Sequence, residues 1–377
     1  LDVYWFDAGW YGTGAVPSRT VFEGDWGIMA GDWRPNPNWH HGTLKPVSDA
    51  AHAAGMKFLV WVEPCRAIHG RPVTLAHPEY FLTGNPDGKI RDGQTLLLDL
   101  GKPEAFQWAV DVVAGLIEAY GIDWYEEDFN IDPNPYLETA ADPNRWGLNE
   151  MRFIEGHFAL WDALLKRFPK LAILNCASGG RRIDLETLSR GQPLWRSDYN
   201  CFPEATPEST QDHSYGILHW LPSQGSMIRG WSLFDTYEAR CALSPGMEHA
   251  IVAKTEKEWL QIKANVVQAK RCQRYFFGDY YPLANQQRNP AAWTAYQLYL
   301  PEEQAGMILA LRRAKSDVRA MTFELVTIDP AKQWKFEDYD SGNSWLVSGT
   351  TIREKGFEIV VPNRRDSRLI FFSSAAR

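Results

Sequence analysis

Residues Asp123 to Asn130 read Asp-Trp-Tyr-Glu-Glu-Asp-Phe-Asn, and they are the most informative part of the chain for its fold. A β-rich run that starts at Ile122 ends here in three consecutive carboxylates and an asparagine. Burying a charge is costly unless the group is paired or takes part in chemistry. In barrels of alternating strands and helices, catalytic side chains lie at the C-terminal ends of the strands. We therefore predict that this segment forms half of an active site.

Short β-rich runs alternate with helical patterns through residues 1–300. The predicted strands are Asp2–Phe6, Lys57–Glu63, Thr95–Leu100, Ile122–Asp128, Leu171–Asn175 and Leu194–Arg196, with two more near Ser226–Arg229 and Arg240–Leu243. The predicted helices are Lys45–Ala54, a segment from Pro103 to Gly121, Met151–Phe168, and a segment that begins at a capping box of Thr255 and Glu258. Such alternation predicts parallel strands joined by right-handed crossovers. No Gly-rich nucleotide-binding turn follows a strand, so we predict an α/β fold, a (β/α)8 TIM-like barrel over residues 1–300.

The pattern changes near Pro301. From there to residue 377, short strands are separated by turn sequences such as Asp-Tyr-Asp-Ser-Gly-Asn and Pro-Asn-Arg-Arg. This spacing predicts a small antiparallel β-sandwich domain over residues 301–377. The stretch Phe202–Glu238, which contains Trp220 and Trp231, is predicted to form loops over the site, and its role is left open.

The composition favours a globular carbohydrate-active protein. The chain is 45% hydrophobic and contains 17 Trp and 15 Tyr, residue types that often line sugar sites, although many of them also belong in a core. The net charge is −8 with no long basic run, which argues against nucleic-acid binding. No apolar run is long enough to predict a membrane span. The five cysteines are scattered without metal-ligand spacing, so we expect neither a metal nor another cofactor.

The first residues of the chain suggest that it is part of something longer. Leu1 to Phe6 form an apolar run with no initiator Met and no signal peptide. We therefore expect a missing N-terminal portion. Dispersed cysteines favour a reducing, cytoplasmic compartment, but the localisation is left open.

Two carboxylates at different strand ends indicate glycoside cleavage. The first is Asp128, and the second is Asp198 in the sequence Trp-Arg-Ser-Asp. Between them the strand ending at Asn175 leads into a small-residue turn that contains Gly179, where backbone can approach a ligand closely. That turn is also compatible with an ordinary loop or with a phosphate-binding turn at a helix start.

The order of short motifs resembles glycoside hydrolase family thirty-six, the melibiase-type α-galactosidases. The matching segments cover residues 1–200 and are Asp7–Trp10, Gly31–Trp33, Gly55–Pro64, Gln94 with Leu97–Leu100, Glu126–Asn130, Cys176–Arg181 and Trp195–Asp198. Residues after about 300 are similar to the family's C-terminal β domain, and we expect this sequence to lack the family's large N-terminal β domain.

The resemblance implies a retaining exo-α-glycosidase that acts on terminal α-linked galactose-type sugars. Asp128 would be the nucleophile and Asp198 the general acid/base, with the two carboxyl groups about 5–5.5 Å apart and no metal required. It also implies a carbohydrate partner and leaves a homo-oligomer open. The substrate-binding positions that it implies are Asp7, Trp33, Trp61, Arg91, Glu126, Asn130, Cys176, Gly179 and Trp195. For Trp33 and Trp61 the alternative is a core position, and for Arg91 it is a solvent-exposed arginine.

Two positions depart from the family pattern. Ala8 replaces the second Asp of Asp-Asp-Gly-Trp, and Glu126 replaces the Lys of Lys-Trp-Asp. Losing an acceptor and reversing a charge should penalise a plain galactoside. We therefore keep an α-galactosaminidase or α-N-acetylgalactosaminidase as alternatives, beside the case in which Glu126 only forms a salt bridge. A glycan-binding or transglycosylating relative with weak hydrolysis is the remaining alternative.

Overall fold

A computed structural model describes residues 1–13, 26–139, 144–202, 204–228, 235–249, 253–284 and 288–375. The chain divides into two compact units, Leu1–Trp195 and Arg196–Arg377. The helices in the described residues are too short or too polar to span a bilayer. The predicted domain boundary near residue 300 stays a prediction.

The first unit is built around a parallel sheet. Its strands are β1 (Val3–Phe6), β2 (Lys57–Val62), β3 (Arg66–Ile68), β4 (Phe81–Leu82), β5 (Thr95–Leu98), β6 (Trp124–Glu127), β7 (Ala172–Asn175) and β8 (Leu194–Trp195). Its helices are α1 (Pro37–His40), α2 (Lys45–Ala53), α3 (Pro72–Ala76), a 3₁₀ turn at Pro78–Tyr80, α4 (Pro103–Tyr120), α5 (Asn134–Thr139), α6 (Trp146–Arg167) and α7 (Leu185–Arg190). The parallel strands pair in the order β1-β2-β6-β7-β8.

The local signals read from the sequence explain where these helices end. Helix α4 begins at Pro103, whose fixed φ suits the first turn, and ends at Gly121, which adopts φ 63° as a left-handed cap. Its buried face carries Val110, Val113 and Ile117 at helical spacing. The predicted helices of this unit are therefore confirmed, with ends shifted by a few residues.

The strand at Thr95 is confirmed, but its predicted place in a parallel sheet is wrong. Strand β5 pairs antiparallel with both β3 and β4 in a separate three-stranded sheet. A buried apolar run such as Leu96–Leu98 predicts a strand, but it does not specify which strands will be its neighbours.

The second unit contains a segment of helices and two short parallel strands, followed by antiparallel sheets. It begins with a 3₁₀ turn at Asp198–Cys201, α8 (Pro207–Ile217), β9 (Gln224–Met227), α9 (Thr236–Cys241), β10 (Gly246–Glu248), α10 (Glu256–Gln273) and a 3₁₀ turn at Arg274–Phe277. It continues with β11 (Asp279–Pro282), β12 (Trp293–Leu300), a 3₁₀ turn at Pro301–Glu303, β13 (Ala305–Arg312), β14 (Ala320–Phe323), β15 (Gln333–Asp338), β16 (Ser344–Ser348), α11 (Gly349–Lys355), β17 (Phe357–Val360) and β18 (Asp366–Ser374).

The antiparallel strands predicted after residue 300 are all present. Six strands pair in the order β11-β12-β13-β18-β15-β16, and β14 pairs with β17. The sheet also takes in β11 and β12, which precede residue 300 and were not predicted. The capping box of Thr255 and Glu258 is confirmed at the start of α10.

Two predictions for residues 202–243 are wrong. Arg240–Leu243 is not a strand, because Asp235 caps a helix there by accepting hydrogen bonds from the Tyr237 and Glu238 backbone N–H groups. The stretch predicted as loops contains α8 and β9, and α8 starts at a capping box of Thr206 and Ser209. Trp231 lies outside the described residues.

Candidate active site

The register of the parallel sheet brings distant positions of the sequence onto one face. Trp61 of β2 is the partner of Glu126 of β6, and residues paired in this way project to the same side. Because side chains alternate along a strand, the positions just after the strand ends at Asp7, Glu63 and Asp128 share that side. By the same alternation, Cys176 and Trp195 also project to this side of the sheet. We call this side the carboxylate face.

Asp128 is buried and held by four hydrogen-bond donors. One carboxylate oxygen, Oδ2, accepts from Trp61 Nε1 at 3.1 Å and from Asn130 Nδ2 at 2.5 Å. The other oxygen, Oδ1, accepts from the backbone N–H of Phe129 at 2.7 Å and of Ser178 at 2.9 Å. A carboxylate has about four lone-pair sites, so the geometry fixes both oxygens. Of the predicted residues, Trp61 and Asn130 contact Asp128 directly.

Glu63 is a second buried carboxylate on this face, and it was not among the site residues predicted from the sequence. It accepts from the backbone N–H of Asn130 and from Arg66 Nε at 2.8 Å. Asn130 Nδ2 lies 3.3 Å from Glu63 Oε2, so one side chain bridges Glu63 and Asp128. Burial raises the pKa of Glu63 to about 7, Arg66 opposes that rise, and the charge of Asp128 adds to it. The feature of the sequence that could have identified Glu63 is its position at the end of the predicted strand Lys57–Glu63.

The turn after β7 supplies a backbone donor to Asp128. Ser178 and Gly179 adopt left-handed conformations with φ of 49° and 88°, which aim the Ser178 N–H at the carboxylate. The Ser178 hydroxyl donates to Asn130 Oδ1 at 2.5 Å, and the Gly179 N–H lies 3.5 Å from Cys176 Sγ. Cys176 and Gly179, both predicted, therefore belong to this turn, and Ser178 is the residue that was missed.

Tryptophans form a wall beside Asp128. Trp61 stacks on Tyr11 with ring centroids 5.8 Å apart, and Trp33 lies 6.2 Å from Trp61. Both tryptophans are buried, as the core alternative required, but Trp61 also donates to Asp128. In the described part of the chain, the buried Trp33 Nε1 has no hydrogen-bond partner, so it has a donor to offer a ligand.

Glu126 lies on the same face and contacts aromatic residues. It is buried, and Trp5 Nε1 donates to its Oε2 at 2.5 Å. Trp5 packs edge-on against Trp195 with ring centroids 5.1 Å apart. The charge reversal noted in the sequence therefore lies inside the carboxylate face and not on the protein surface.

Glu127 points to the opposite side of β6, towards α6. It accepts hydrogen bonds from His157 and Trp161 at 2.7 Å each, from Tyr125 at 2.8 Å, and from Arg182 at 3.1 Å. Burial alone would raise its pKa, but the electrostatic and hydrogen-bonding effects of His157, Arg182 and Trp161 lower it to about 2. Glu127 thus anchors α6 to the sheet and does not belong to the carboxylate face.

The remaining predicted residues lie in three places. Asp7 follows β1, and its Oδ1 accepts from the Ala8 N–H at 2.6 Å. Arg91 is exposed and contacts Asp87 and the Lys89 carbonyl in its own loop. Asp198 is half-buried at the start of a 3₁₀ turn in the second unit. The expected separation of Asp128 and Asp198 stays a prediction. Among the described residues, no group of three or more His, Cys, Asp or Glu side chains is arranged to hold a metal ion.

Comparison with known sequences identifies a single family. Residues 1–204 match the family model described as Melibiase. The chain is 30% identical over 174 residues to an α-galactosidase of Escherichia coli, an alignment that covers 45% of this chain and 23% of that protein. It is 21% identical over 360 residues to the α-galactosidase AgaA of Geobacillus stearothermophilus, covering 93% of this chain and 46% of AgaA. The chain thus spans less than half the length of these two relatives.

Comparison with solved structures shows the fold. The α-galactosidase of Lactobacillus brevis superimposes with a TM-score of 0.83 at 17% identity, covering 100% of this chain and 51% of that one. An AgaA variant in complex with raffinose gives a TM-score of 0.82 at 19% identity, covering 100% of this chain and 51% of AgaA. The predicted fold class, a TIM-like α/β barrel followed by antiparallel β structure, is confirmed by this likeness.

Proposed function

Because the chain belongs to the Melibiase family, we propose that it is a retaining glycosidase that releases terminal α-linked galactose-type sugars. The observation that carries this proposal is Asp128, a buried carboxylate whose two oxygens are both positioned by fixed donors beside a tryptophan wall. A nucleophile gains from such positioning, because the reacting atom is held close to its attack geometry before substrate binds. A variant of the α-galactosidase AgaA has been solved in complex with raffinose, which supports a carbohydrate substrate for this chain.

The first step is displacement at the anomeric carbon. A bond forms between an Asp128 oxygen and that carbon while the glycosidic bond breaks, and Asp198, as the acid, gives its proton to the leaving oxygen. Attack needs one lone pair of Asp128, and all four sites are occupied. The longest of the four hydrogen bonds comes from Trp61 at 3.1 Å, so we expect this bond to lengthen during attack.

The second step releases the sugar. Asp198, now a carboxylate, takes a proton from water, and the resulting hydroxide adds to the anomeric carbon as the bond to Asp128 breaks. The sugar leaves with its original anomeric configuration, and Asp198 is protonated again. Both steps use only carboxylates and water.

A second candidate substrate follows from the carboxylate face itself. Glu126 is a buried acid two residues from Asp128, and the Trp5 indole donates to it. A cationic sugar would gain from a nearby carboxylate, whereas a neutral hydroxyl gains less. The second candidate is therefore an α-galactosaminide, and Ala8 leaves room where the family carries a further acid.

The test compares hydrolysis of 4-nitrophenyl α-galactoside and 4-nitrophenyl α-galactosaminide by the full-length protein, with Asp128→Asn as the inactive control. Release from the plain galactoside that disappears in the variant would support the α-galactosidase. Release from the amino sugar alone would select the second candidate. If a folded protein cleaves neither, galactose-type specificity is wrong.

Two additional measurements separate mechanism from specificity. Proton NMR of the first-formed sugar should show the α-anomer, and a β-anomer would overturn the retaining mechanism. Glu126→Lys restores the family's residue, so we expect it to shift the ratio of kcat/KM values towards the plain galactoside by about 10-fold. An unchanged ratio would remove Glu126 from the specificity argument.

A further inference from the structure

The buried arginines of the second unit are satisfied in different ways. Arg240 pairs with Asp340, and Arg313 pairs with Asp212 at 2.6 Å. Arg312 has no carboxylate in its described contacts, but its guanidinium donates to backbone carbonyl oxygens at 2.7–3.2 Å. These three show the two usual solutions for a buried guanidinium, which are a counter-charge or a shell of carbonyl groups.

In the described residues, Arg196 has neither a counter-charge nor a shell of carbonyl groups. Its side chain is only 7% exposed, and Nη1 donates to Ser214 Oγ at 2.9 Å and to Gln224 Oε1 at 3.1 Å. Its Nη2 has one long contact of 3.4 Å to the Thr210 carbonyl, and in the described residues its Nε has no partner. Burial lowers the pKa of Arg196 to about 10, so the group remains a cation at neutral pH.

Among the described residues, Arg196 has no carboxylate partner. The contacts of its guanidinium are with the Ser214 hydroxyl, the Gln224 side chain and the Thr210 carbonyl. A buried cation is normally paired, so a negative partner is expected for Arg196.

Further donors with no partner lie near this cation. Gln224 uses its Oε1 to accept from Arg196, while its buried Nε2 is unbonded in the described part of the unit. Ser226, two residues further along β9, projects from the same side, and its buried hydroxyl also lacks a described partner. Tyr296 and His213 interact electrostatically with Arg196 and likewise have a buried polar atom without a described partner.

We propose that Arg196 Nε, Gln224 Nε2 and the Ser226 hydroxyl bind a small monovalent anion of about the size of chloride. Arg Nε and the amide nitrogen of Gln can only donate, so the site needs an acceptor, and a neutral water molecule would leave the buried cation without a counter-charge. An anion accepts from every group and supplies the missing negative charge. The site lies at residues that the catalytic proposal does not use, so it stands or falls separately from it.

The first test is thermal unfolding of the full chain at constant ionic strength, with gluconate replaced stepwise by chloride. A ligand that binds only the folded state raises Tm with concentration, and we expect about 3 °C for each tenfold rise of chloride above its Kd. Bromide-soaked crystals should show an anomalous peak at hydrogen-bond distance from Arg196 Nε. A Tm that does not depend on chloride overturns the proposal, and a bromide peak without that dependence marks an adventitious ion only.

Variants separate this site from general salt effects. Arg196→Met should remove the chloride dependence of Tm. Arg312→Met removes a buried arginine that already has its partners, so it should lower Tm and leave the chloride dependence as in the wild type. Equal dependence in both variants would overturn the proposal. If Arg196→Met does not fold, the wild-type titration and the bromide peak decide the question.

Discussion

The two sides of the parallel sheet carry buried carboxylates in opposite electrostatic settings. On the helix side, Glu127 accepts four hydrogen bonds, including one from Arg182 and one from His157, and its pKa falls to about 2. On the carboxylate face, Glu63 is buried to the same extent but has the charge of Asp128 nearby, and its pKa rises to about 7. Equally buried glutamates therefore have pKa values shifted in opposite directions, because their neighbours differ. One side ties α6 to the sheet, and the other gathers the acids that we propose for the chemistry.

The largest expected effect comes from Asp128→Asn. If the carboxylate face performs the chemistry, removing the nucleophile should lower kcat/KM on an aryl α-galactoside by about 10⁴-fold. The amide nitrogen would also face the two donors that the replaced oxygen accepts from, so a modest loss of stability is expected. Circular dichroism and a cooperative unfolding transition serve as controls for folding. If Asp128→Asn keeps its activity within tenfold of the wild type, Asp128 is not the nucleophile and the carboxylate face does not perform the chemistry.

Glu127→Gln should give the reverse result. It replaces an ionised acceptor with an amide and leaves Arg182 and His157 without their buried partner, so we expect a loss of about 3–5 kcal/mol in the free energy of unfolding. The folded fraction should keep its activity within a few-fold. Urea unfolding measures the first quantity and active-site titration the second. Unchanged stability together with lost activity would place Glu127 in the chemistry and contradict our assignment.

Glu127 should also account for part of the loss in the free energy of unfolding at low pH. The pKa of Glu127 is about 2 in the folded state and ordinarily 4.5. Its contribution, about 3 kcal/mol, is therefore present above pH 4.5 and is lost as the pH falls towards 2. This part of the acid-induced loss should be absent from Glu127→Gln.

Glu63 should show the opposite pH window. Its pKa is about 7 in the folded state against an ordinary 4.5, so unfolding releases a proton between these values. The associated stability is complete below pH 4.5 and is lost as the pH rises through 7, by about 3 kcal/mol. Glu63→Gln should flatten this part of the stability–pH curve, as followed by urea unfolding at fixed pH values. An identical slope in wild type and variant would show that another group titrates.

The smallest effect is expected from Trp5→Phe. This change removes the indole N–H that donates to Glu126, so it should alter the preference between galactoside and galactosaminide by about 5-fold and leave the fold intact. Tyr4→Phe is the matched control, since Tyr4 lies on the same strand but projects to the other side, against Phe58. Equal effects of the two variants on substrate preference would mean that the Trp5 contact does not tune Glu126.

Much of the fold was predictable because its signals are local. The caps at Gly121 and Thr255, and the alternation of β-rich and helical runs, depend on residues within a few positions of each other. Misassignments arose where the deciding partner is distant. The strand at Thr95 was expected in a parallel sheet, and only the pairing with β3 and β4 shows that it is antiparallel. The helix at Arg240 was missed because its cap at Asp235 was not recognised.

The candidate site also has residues that were predictable from local sequence and residues whose role depends on distant partners. Asp128, Asn130, Trp61, Cys176 and Gly179 were predicted from a charged strand end and from the order of motifs. Glu63 and Ser178 were not predicted. Their roles rest on contacts with Asn130 and Asp128 across 48 to 67 positions of the chain.

Local sequence patterns were enough to predict most strands and helices, the family that the chain resembles, and the strand end that carries acids. Which of those acids face the tryptophan wall and which face α6 depends on the tertiary structure. The physical reason is that strand register sets the side on which a residue projects, and neighbours from other strands set its charge. The three adjacent acids of β6 and its end, Glu126, Glu127 and Asp128, acquire different roles because a step of one residue moves a side chain to the opposite side of the sheet.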